Sequence, residues 1–272
     1  MTHESSSSKF NSFFAIIVIP VLIVLCYIFY FTVLGNGSNF ENNDPNNHPL
    51  PGNYFGIVYK GGLIVPILMS FFLMVVTFSI ERFLTISNAS GKGTINDFVA
   101  KIKRNLAQNN LNAAIDECDQ QKGSVGNVSK AALLRYKMVE NDDTMTKDQK
   151  SASLQKELEE ATALELPMLE KNLTIIATLA SIATLVGLLG TVIGMIKAFA
   201  ALASAGSPDA VALANGISEA LINTALGIAS SALAIISYNY FTSRIDTLTY
   251  GMDEIGFTIV QTMNAKGSGK AA

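Results

Sequence analysis

The stretch that decides the fold is AVALANGISEALINTALGIASSALAIISYNYF, Ala210 to Phe241, an almost uncharged run that carries one carboxylate, Glu219. At ~1.5 Å per residue, a helix over this run is longer than the ~30 Å hydrocarbon core of a bilayer. Glu219 lies about a third of the way along and is therefore expected inside the membrane. Insertion of an acidic residue at a helix centre costs roughly 2.5–3.5 kcal/mol, so such residues usually face a bundle interior, a water path or a partner.

The composition indicates an integral membrane protein. The chain has 272 residues, of which 49% are apolar, and a mean hydropathy of +0.34, with the apolar residues concentrated in a few blocks. The net charge of -3 leaves no basic face for nucleic acid. The sequence has no glycine loop for phosphate and no HExxH or CxxC spacing. We therefore predict that the protein is not an enzyme and has no catalytic residue, cofactor or metal site.

The order of apolar and polar runs predicts an all-α, polytopic membrane protein with long helices that extend into the cytoplasm. The predicted parts are an N-terminal transmembrane helix (1–34), an outer loop (35–56), a second transmembrane helix (57–82), a cytoplasmic helical domain (83–170), a core with the third and fourth transmembrane helices (171–245), and a cytoplasmic C-terminal helix with a flexible tail (246–272). A tight turn at Ala205 to Asp209 separates the third and fourth helices, and Asp209 or Ser207 can cap the fourth.

The orientation follows from the basic residues. Most of the 19 Lys and Arg lie between Arg82 and Lys171, whereas Gly35 to Gly56 and Ser204 to Asp209 contain none. Basic residues are retained on the cytoplasmic side, so the charged segment is expected inside and the two other loops outside. Lys60 and Lys197, near the outer ends of the second and third helices, are expected to extend their ammonium groups to the headgroups.

The charged segment has helical patterning. Thr94 to Gln120 is predicted to be one helix with Thr94 as its N-cap, and Gly123 to Gly126 is predicted to separate it from a helix over Val128 to Glu140. From Ser151 the pattern continues without a strong break into the third apolar run, except at Pro167, which is expected to kink the helix because it lacks a backbone donor.

Small and polar residues form stripes on the last two apolar helices. The third helix has Thr184, Gly187, Thr191 and Gly194 on one face, and the fourth has Gly216, Glu219, Asn223 and Ser230. Small residues at this spacing allow close packing in lipid, so the hydroxyl groups alone are also compatible with plain helix contact. The addition of an acidic residue and an asparagine at membrane depth favours a polar lumen.

These residues resemble a known family. Gly187-Leu-Leu-Gly-Thr-Val-Ile-Gly-Met195, Gly216-Ile-Ser-Glu-Ala-Leu-Ile-Asn-Thr-Ala-Leu-Gly227 and Glu81-Arg82-Phe83 are similar to motifs of the ExbB/TolQ/MotA proton-channel family, and most to its ExbB branch. The resemblance covers roughly Leu63 to Tyr240. The helix over Phe10 to Leu34 is an addition, because family members commonly have three crossings.

The resemblance implies a homopentamer in the inner membrane of a Gram-negative bacterium, with the third and fourth helices around a central pore and membrane lipids outside it. It further implies an ExbD-like single-span partner inside the pore and a TonB-like protein that uses the proton-motive force for transport across the outer membrane. By matching positions, the polar residues of the pore and proton pathway would be Thr184, Thr191, Glu219, Asn223 and Thr224. The helix-packing residues would be Gly187, Gly190, Gly194 and Gly227. Glu81 and Arg82 would serve packing or topology at the cytoplasmic boundary.

Other functions stay open at this point. A TolQ-like subunit or a gliding or flagellar-type stator subunit would have similar core motifs, and a structural membrane scaffold would only need Glu219 to be hydrogen-bonded between helices. Within the proton-channel hypothesis, burial raises the pKa of a carboxylate, and Glu219 is expected to be neutral at rest.

Overall fold

The computed structural model describes residues 4–203 and 209–269, with the side chains of residues 14–203 and 209–265. The helices are α1 (Glu4–Phe29, extended by a π-helical turn at Tyr30–Leu34), α2 (Tyr54–Tyr59), α3 (Val65–Ser90), α4 (Ile95–Ala107), α5 (Leu111–Gln121), α6 (Gly123–Glu140), α7 (Lys147–Glu170), α8 (Leu173–Leu202) and α9 (Ala210–Gly269). Over this part of the chain, the pairing of extended backbone is limited to an isolated bridge between Phe40 and Pro49. The prediction of an all-α protein is confirmed.

Membrane-spanning length is reached in four places. By length and composition, the helical segments Phe14–Leu34, Gly62–Ala107, Lys147–Leu202 and Ala210–Ala265 each contain a stretch apolar enough to cross a bilayer. These segments overlap the four apolar runs of the sequence, so the four predicted crossings have helical counterparts.

The chain divides into two compact units. The first, called the apolar unit, holds the described residues up to Ile80 together with Thr174–Tyr238. The second, called the charged unit, holds Glu81–Leu173 and the described residues from Asn239 onward.

In the apolar unit, α1 packs against the beginning of α3. Tyr30, Leu34 and Val65 form a buried cluster there. The Tyr30 hydroxyl donates to the Tyr59 carbonyl at 2.9 Å, and the two rings stack with their centroids 4.6 Å apart. The polar and aromatic contacts fix α2 to the end of α1.

Lys60 does not reach outward as the sequence predicted. Its Nζ donates to the carbonyl oxygens of Pro45 and Asn46, both at 3.0 Å, and lies 5.6 Å from the centroid of the Phe40 ring. The loop before α2 therefore supplies the hydrogen-bond acceptors that lipid headgroups were expected to supply, because this loop folds back over the end of α2.

The second apolar run is interrupted by Gly61-Gly62. α2 ends at Tyr59, Gly62 has a φ of +78°, and α3 begins at Val65. A positive φ is readily adopted by glycine because it has no Cβ. The run beginning at Ile57 is therefore two helices, and α3 continues beyond the predicted end at Arg82 to Ser90.

The charged unit contains a helix break after Ala107 that was not predicted. Thr94 to Gln120 is not one helix: α4 ends at Ala107, Asn109 has a φ of 57°, and Asn110 caps α5 by accepting from the Ala113 N–H at 3.1 Å. Asparagine adopts the left-handed conformation more readily than most residues, which explains the break. The predicted N-cap is confirmed, since Thr94 Oγ1 accepts from the Asp97 N–H at 3.2 Å.

The other predicted breaks are also displaced. Residues 123–126 form the first turn of α6, and the chain turns instead at Lys122, with a φ of 60°. Pro167 lies inside α7, whereas the helix ends at Glu170 and Asn172 has a φ of 63°. The predicted continuous helix from Ser151 to Leu202 is therefore wrong, because the left-handed Asn172 ends α7 before α8 begins.

The last helix, α9, begins at a predicted cap and extends further than predicted. Asp209 Oδ1 accepts from the N–H groups of Val211 and Ala212, each at 3.0 Å, so the predicted cap is present. Ser207, the alternative cap, and the turn at residues 204–208 lie outside the described residues. α9 continues to Gly269, further than the flexible tail predicted from Lys266 allows.

Cys118 is expected to be unreactive in the folded protein. It is 2% exposed in α5, and burial, assisted by the charge of Asp119, raises the pKa of its thiol to about 12. Because the thiolate is the reactive form, a rise from 9.0 lowers its fraction roughly a thousandfold near neutral pH. With Cys26 replaced by serine, N-ethylmaleimide should label Cys118 slowly at pH 7.5 and rapidly after unfolding. A cysteine at the exposed position of Gln120, in a Cys118→Ser background, is the control; equal labelling rates in the folded protein would contradict the prediction.

Candidate functional site

Glu219 forms an ion pair with Lys197 inside the apolar unit. The Lys197 Nζ lies 2.7 Å from Oε1 and 2.8 Å from Oε2 of Glu219, so it donates to both carboxylate oxygens. Glu219 is 7% exposed, whereas the Lys197 side chain is 55% exposed. The prediction that Lys197 extends to the headgroups is wrong for this structure, because a nearer anion accepts its hydrogen bonds.

The Gly61-Gly62 turn forms the other wall around Glu219. A Cβ at Gly62 would lie 2.5 Å from Glu219 Oε1, and a Cβ at Gly61 would lie 2.7 Å from Ile222 Cγ2. The turn therefore needs glycine for its close approach to α9 as well as for the positive φ of Gly62. In the sequence, Gly61-Gly62 was interpreted only as a helix break.

Asn223 lies one turn further along α9 and is fully buried. Its Nδ2 donates to the Gly61 carbonyl at 2.8 Å, while its Oδ1 has no hydrogen-bond partner among the described residues. Within the single chain, the Asn223 amide therefore joins α9 to the turn before α3. Glu219 is likewise enclosed within the chain.

Thr191 on α8 and Thr224 on α9 contact each other. Their hydroxyl oxygens are in direct hydrogen-bond contact, in which either group can donate. The Thr191 hydroxyl also lies 3.2 Å from the Gly187 carbonyl, and the Thr224 hydroxyl lies 3.1 Å from the Ala220 carbonyl. Both threonines are half-buried. Thr184, two turns before Thr191 on α8, is also half-buried but is outside this pair.

Glycines allow α8 and α9 to approach at backbone distance. A Cβ at Gly187 would lie 3.1 Å from Gly227 Cα, and one at Gly194 would lie 2.6 Å from the Ala220 backbone N. A Cβ at Gly190 would lie 2.4 Å from Asn223 Cβ. The sequence placed Gly216 in the polar stripe, but it is also a contact residue, with a Cβ position 2.6 Å from the Ala198 backbone N. We call this line of contact, together with Thr191 and Thr224, the α8–α9 seam.

Glu81 and Arg82 belong to the charged unit and form a separate cluster. Arg82 is 1% exposed, and its Nη1 donates to the carbonyl oxygens of Met168 and Leu169 at 3.1 and 3.2 Å. Glu81 pairs with Arg82 and accepts from Asn172 Nδ2 at 3.2 Å. Because the last carbonyls of a helix have no partner within the helix, Arg82 supplies donors that the end of α7 needs. The contacts are of the packing kind that the sequence suggested.

The seam combines properties that plain apolar packing does not require. It holds two hydroxyl groups that can each donate or accept a hydrogen bond. Next to it, about one turn before Thr224 on α9, lies the Glu219 carboxylate with Lys197 as its counter-cation. Such groups, at membrane depth, can exchange hydrogen bonds with water or with a polar group of another chain.

The four crossings and the polar seam define a multi-pass α-helical membrane protein with ionisable and hydroxyl groups between its apolar helices. A sequence model described as the MotA/TolQ/ExbB proton channel family matches residues 121–254, which include α8 and most of α9. The match covers 134 of the 272 residues, and over them the chain is similar to this proton channel family.

Relatives of two kinds are similar to part of the chain. The chain is 36% identical to the Tol-Pal system protein TolQ of Haemophilus influenzae over 105 residues, 38% of this chain and 46% of the relative. It is 34% identical to the biopolymer transport protein ExbB of Xanthomonas campestris pv. campestris over 112 residues, 39% of this chain and 44% of the relative. It is 42% identical to the ExbB of Helicobacter pylori over 81 residues, 30% of this chain and 56% of the relative. The chain thus spans about half the length of these relatives.

Proposed function

We propose that this chain is the channel subunit of an inner-membrane complex of the ExbB–ExbD–TonB type, which uses the proton-motive force to energise active transport across the outer membrane of a Gram-negative bacterium. The observation that carries this proposal is the Thr191–Thr224 hydroxyl contact in the α8–α9 seam. Both threonines lie within the region matched by the proton channel family and at the positions for which the sequence resemblance implies a role in the pore.

In the proposed assembly, five copies surround a pore with α8 and α9 towards its axis, and lipids cover the outer helices. The outward sides of α8 and α9 carry large exposed apolar side chains, which need either lipid or a neighbouring copy in a membrane. They include Leu185, Leu189, Val192, Ile196, Leu221 and Ile228. The charged unit lies in the cytoplasm in this arrangement, because it contains most of the basic residues.

The seam has a direct role in the proposed mechanism. An ExbD-like single-span partner occupies the pore, and the Thr191 and Thr224 hydroxyls hydrogen-bond to its membrane carboxylate or to water beside it. A hydroxyl can donate to the ionised carboxylate and accept from the protonated acid, so the same two side chains serve both states. The change of protonation then alters which copy the partner prefers, and a TonB-like protein receives the resulting motion.

A TolQ-like role is the second candidate, supported by the TolQ relative of Haemophilus influenzae and by a 40% identity over 88 residues to the TolQ of Pseudomonas aeruginosa. The seam itself serves either role. A gliding or flagellar-type stator subunit would use the same seam, whereas a scaffold would use it for packing alone.

Expression of the chain with small single-span membrane proteins from the same genome tests the proposal. In mild detergent, we expect a complex of five copies of this chain with a partner that carries an aspartate in its membrane helix, measured by native mass spectrometry. Deletion of the gene should abolish growth on ferric siderophores but leave the outer membrane intact; a loss of outer-membrane integrity with normal iron uptake would favour the TolQ-like role. A chain that purifies alone and whose deletion affects neither property would contradict both.

A further inference from the structure

Lys197 is charged at membrane depth, and the proposed exchange of hydrogen bonds at Thr191 and Thr224 does not use it. We propose that Lys197 is a tethered counter-cation of Glu219: it occupies both carboxylate oxygens at rest, and a proton loads onto Glu219 only when the ammonium group leaves. This inference rests on the proposed proton-channel function, and it assigns to Lys197 a positioning role that controls access to Glu219.

The contact engages both oxygens of Glu219. Distances of 2.7 and 2.8 Å from one Nζ to the two oxygens place the ammonium between them. The Gly62 backbone also approaches so closely that a Cβ there would lie 2.5 Å from Oε1. The ammonium and the glycine turn therefore both restrict the space from which a hydronium ion can reach the carboxylate.

The two partners differ in their freedom to move. The Glu219 side chain is 9% exposed and is enclosed by α8 and the Gly61-Gly62 turn, whereas the Lys197 side chain is 55% exposed on α8. A lysine side chain has a flexible four-carbon stem, so its ammonium can swing away while its backbone stays in the helix. Lys197 is thus the member of the pair whose side chain can move away.

The exchange is balanced in charge and protons. Hydronium transfers one proton to the Glu219 carboxylate, which gives a neutral carboxylic acid and water. The Lys197 ammonium keeps its three protons and moves to its exposed side. Once Glu219 is neutral, it no longer compensates the charge of the ammonium, so the lysine stays on its exposed side. Loss of the proton restores the anion that draws the ammonium back.

Proton flux into vesicles tests this role. The full-length protein is reconstituted in the complex that co-expression with its single-span partner yields, with a pH-sensitive dye inside the vesicles, and the flux is measured after an external acid jump. We expect Lys197→Met to raise the flux per oligomer at least about fivefold, because an unoccupied carboxylate is open to hydronium. The double variant with Glu219→Gln should show no such rise, since it has no carboxylate to load. Lys60→Met is the matched control, because Lys60 contacts loop carbonyls and should leave the flux unchanged.

A double-mutant cycle of melting temperatures on the same variants tests whether the ion pair exists, independently of its role in gating. Lys197→Met and Glu219→Gln should each lower the melting temperature, and the double variant should lose less than the sum of the two, because neither charge is then left alone. Additive losses would overturn the ion pair. Coupled melting temperatures with equal, measurable flux in the wild type and Lys197→Met would overturn the gating role. An absence of flux in every variant would contradict the proposed channel function, and the gating role with it.

Discussion

Replacement of Gly194 by leucine should prevent α8 and α9 from packing and abolish the assembled protein. Even a single Cβ at this position would lie 2.6 Å from the Ala220 backbone N and 2.7 Å from the Gly216 carbonyl oxygen. Backbone atoms cannot rotate away as the end of a side chain can, so the helices must separate. Helix association in lipid depends on close van der Waals contact, and we expect a loss of about 3 kcal/mol or more.

The yield of the assembled species in detergent, measured by size-exclusion chromatography, checks this expectation. Ala229→Leu on α9 is the matched control, because it adds the same bulk to an exposed position. The control should assemble normally. Assembly of Gly194→Leu at the level of Ala229→Leu would mean that the seam does not need its small residues.

This seam was predictable because its signal is local. The positions of Gly187, Gly194 and Gly227 follow helical spacing, and small residues at that spacing favour close packing whatever the neighbouring helix. The number and type of membrane helices were predictable for the same reason, since length and hydropathy are properties of a single segment.

The Lys197–Glu219 pair was not predictable from the same information. The two residues are 22 positions apart on different helices, and their contact depends on the register between α8 and α9. A one-residue change of register would rotate either side chain away by about 100°. An available signal was that two opposite charges in adjacent membrane helices are rarely left unpaired.

The missed helix ends have a common physical cause. Asn109 and Asn172 both adopt positive φ, and each follows a helix that the sequence predicted to continue. Asparagine tolerates this conformation better than most other residues with a Cβ. After glycine, it is the residue that most often ends a helix in this way. Lys122 also has a positive φ, but its ψ of -171° lies outside the left-handed helical region, and the sequence predicts the break at its neighbour Gly123 instead.

Glu219→Ala is not a clean test of energy coupling. The insertion cost of an acidic residue alone would predict that removal of this carboxylate leaves assembly intact or improved. In the structure, however, the same change leaves the Lys197 ammonium without its ion-pair partner. We therefore expect Glu219→Ala to weaken assembly, so a loss of activity in this variant would combine two causes.

Thr224→Val separates coupling from folding more sharply. Valine keeps the shape of threonine and removes the hydroxyl that contacts Thr191 across the seam. The lost hydrogen bond should cost only about 1 kcal/mol of stability, because Thr191 can still donate to the Gly187 carbonyl. In cells without the wild-type gene, the variant should assemble with its partner but grow at least about tenfold less on a ferric siderophore, since the proposed exchange with the partner's carboxylate needs both hydroxyls.

Thr178→Val is the matched control for this growth test. Thr178 is an exposed α8 threonine whose hydroxyl donates within its own helix, to the Thr174 carbonyl at 2.7 Å. The same chemical change there should leave growth unaltered, because no hydroxyl contact between helices is lost. If Thr224→Val assembles and grows as well as Thr178→Val, the hydroxyl pair is a packing contact and the coupling role of the seam is wrong. A defect in Thr224→Val alone would tie proton-driven uptake to the contact between α8 and α9.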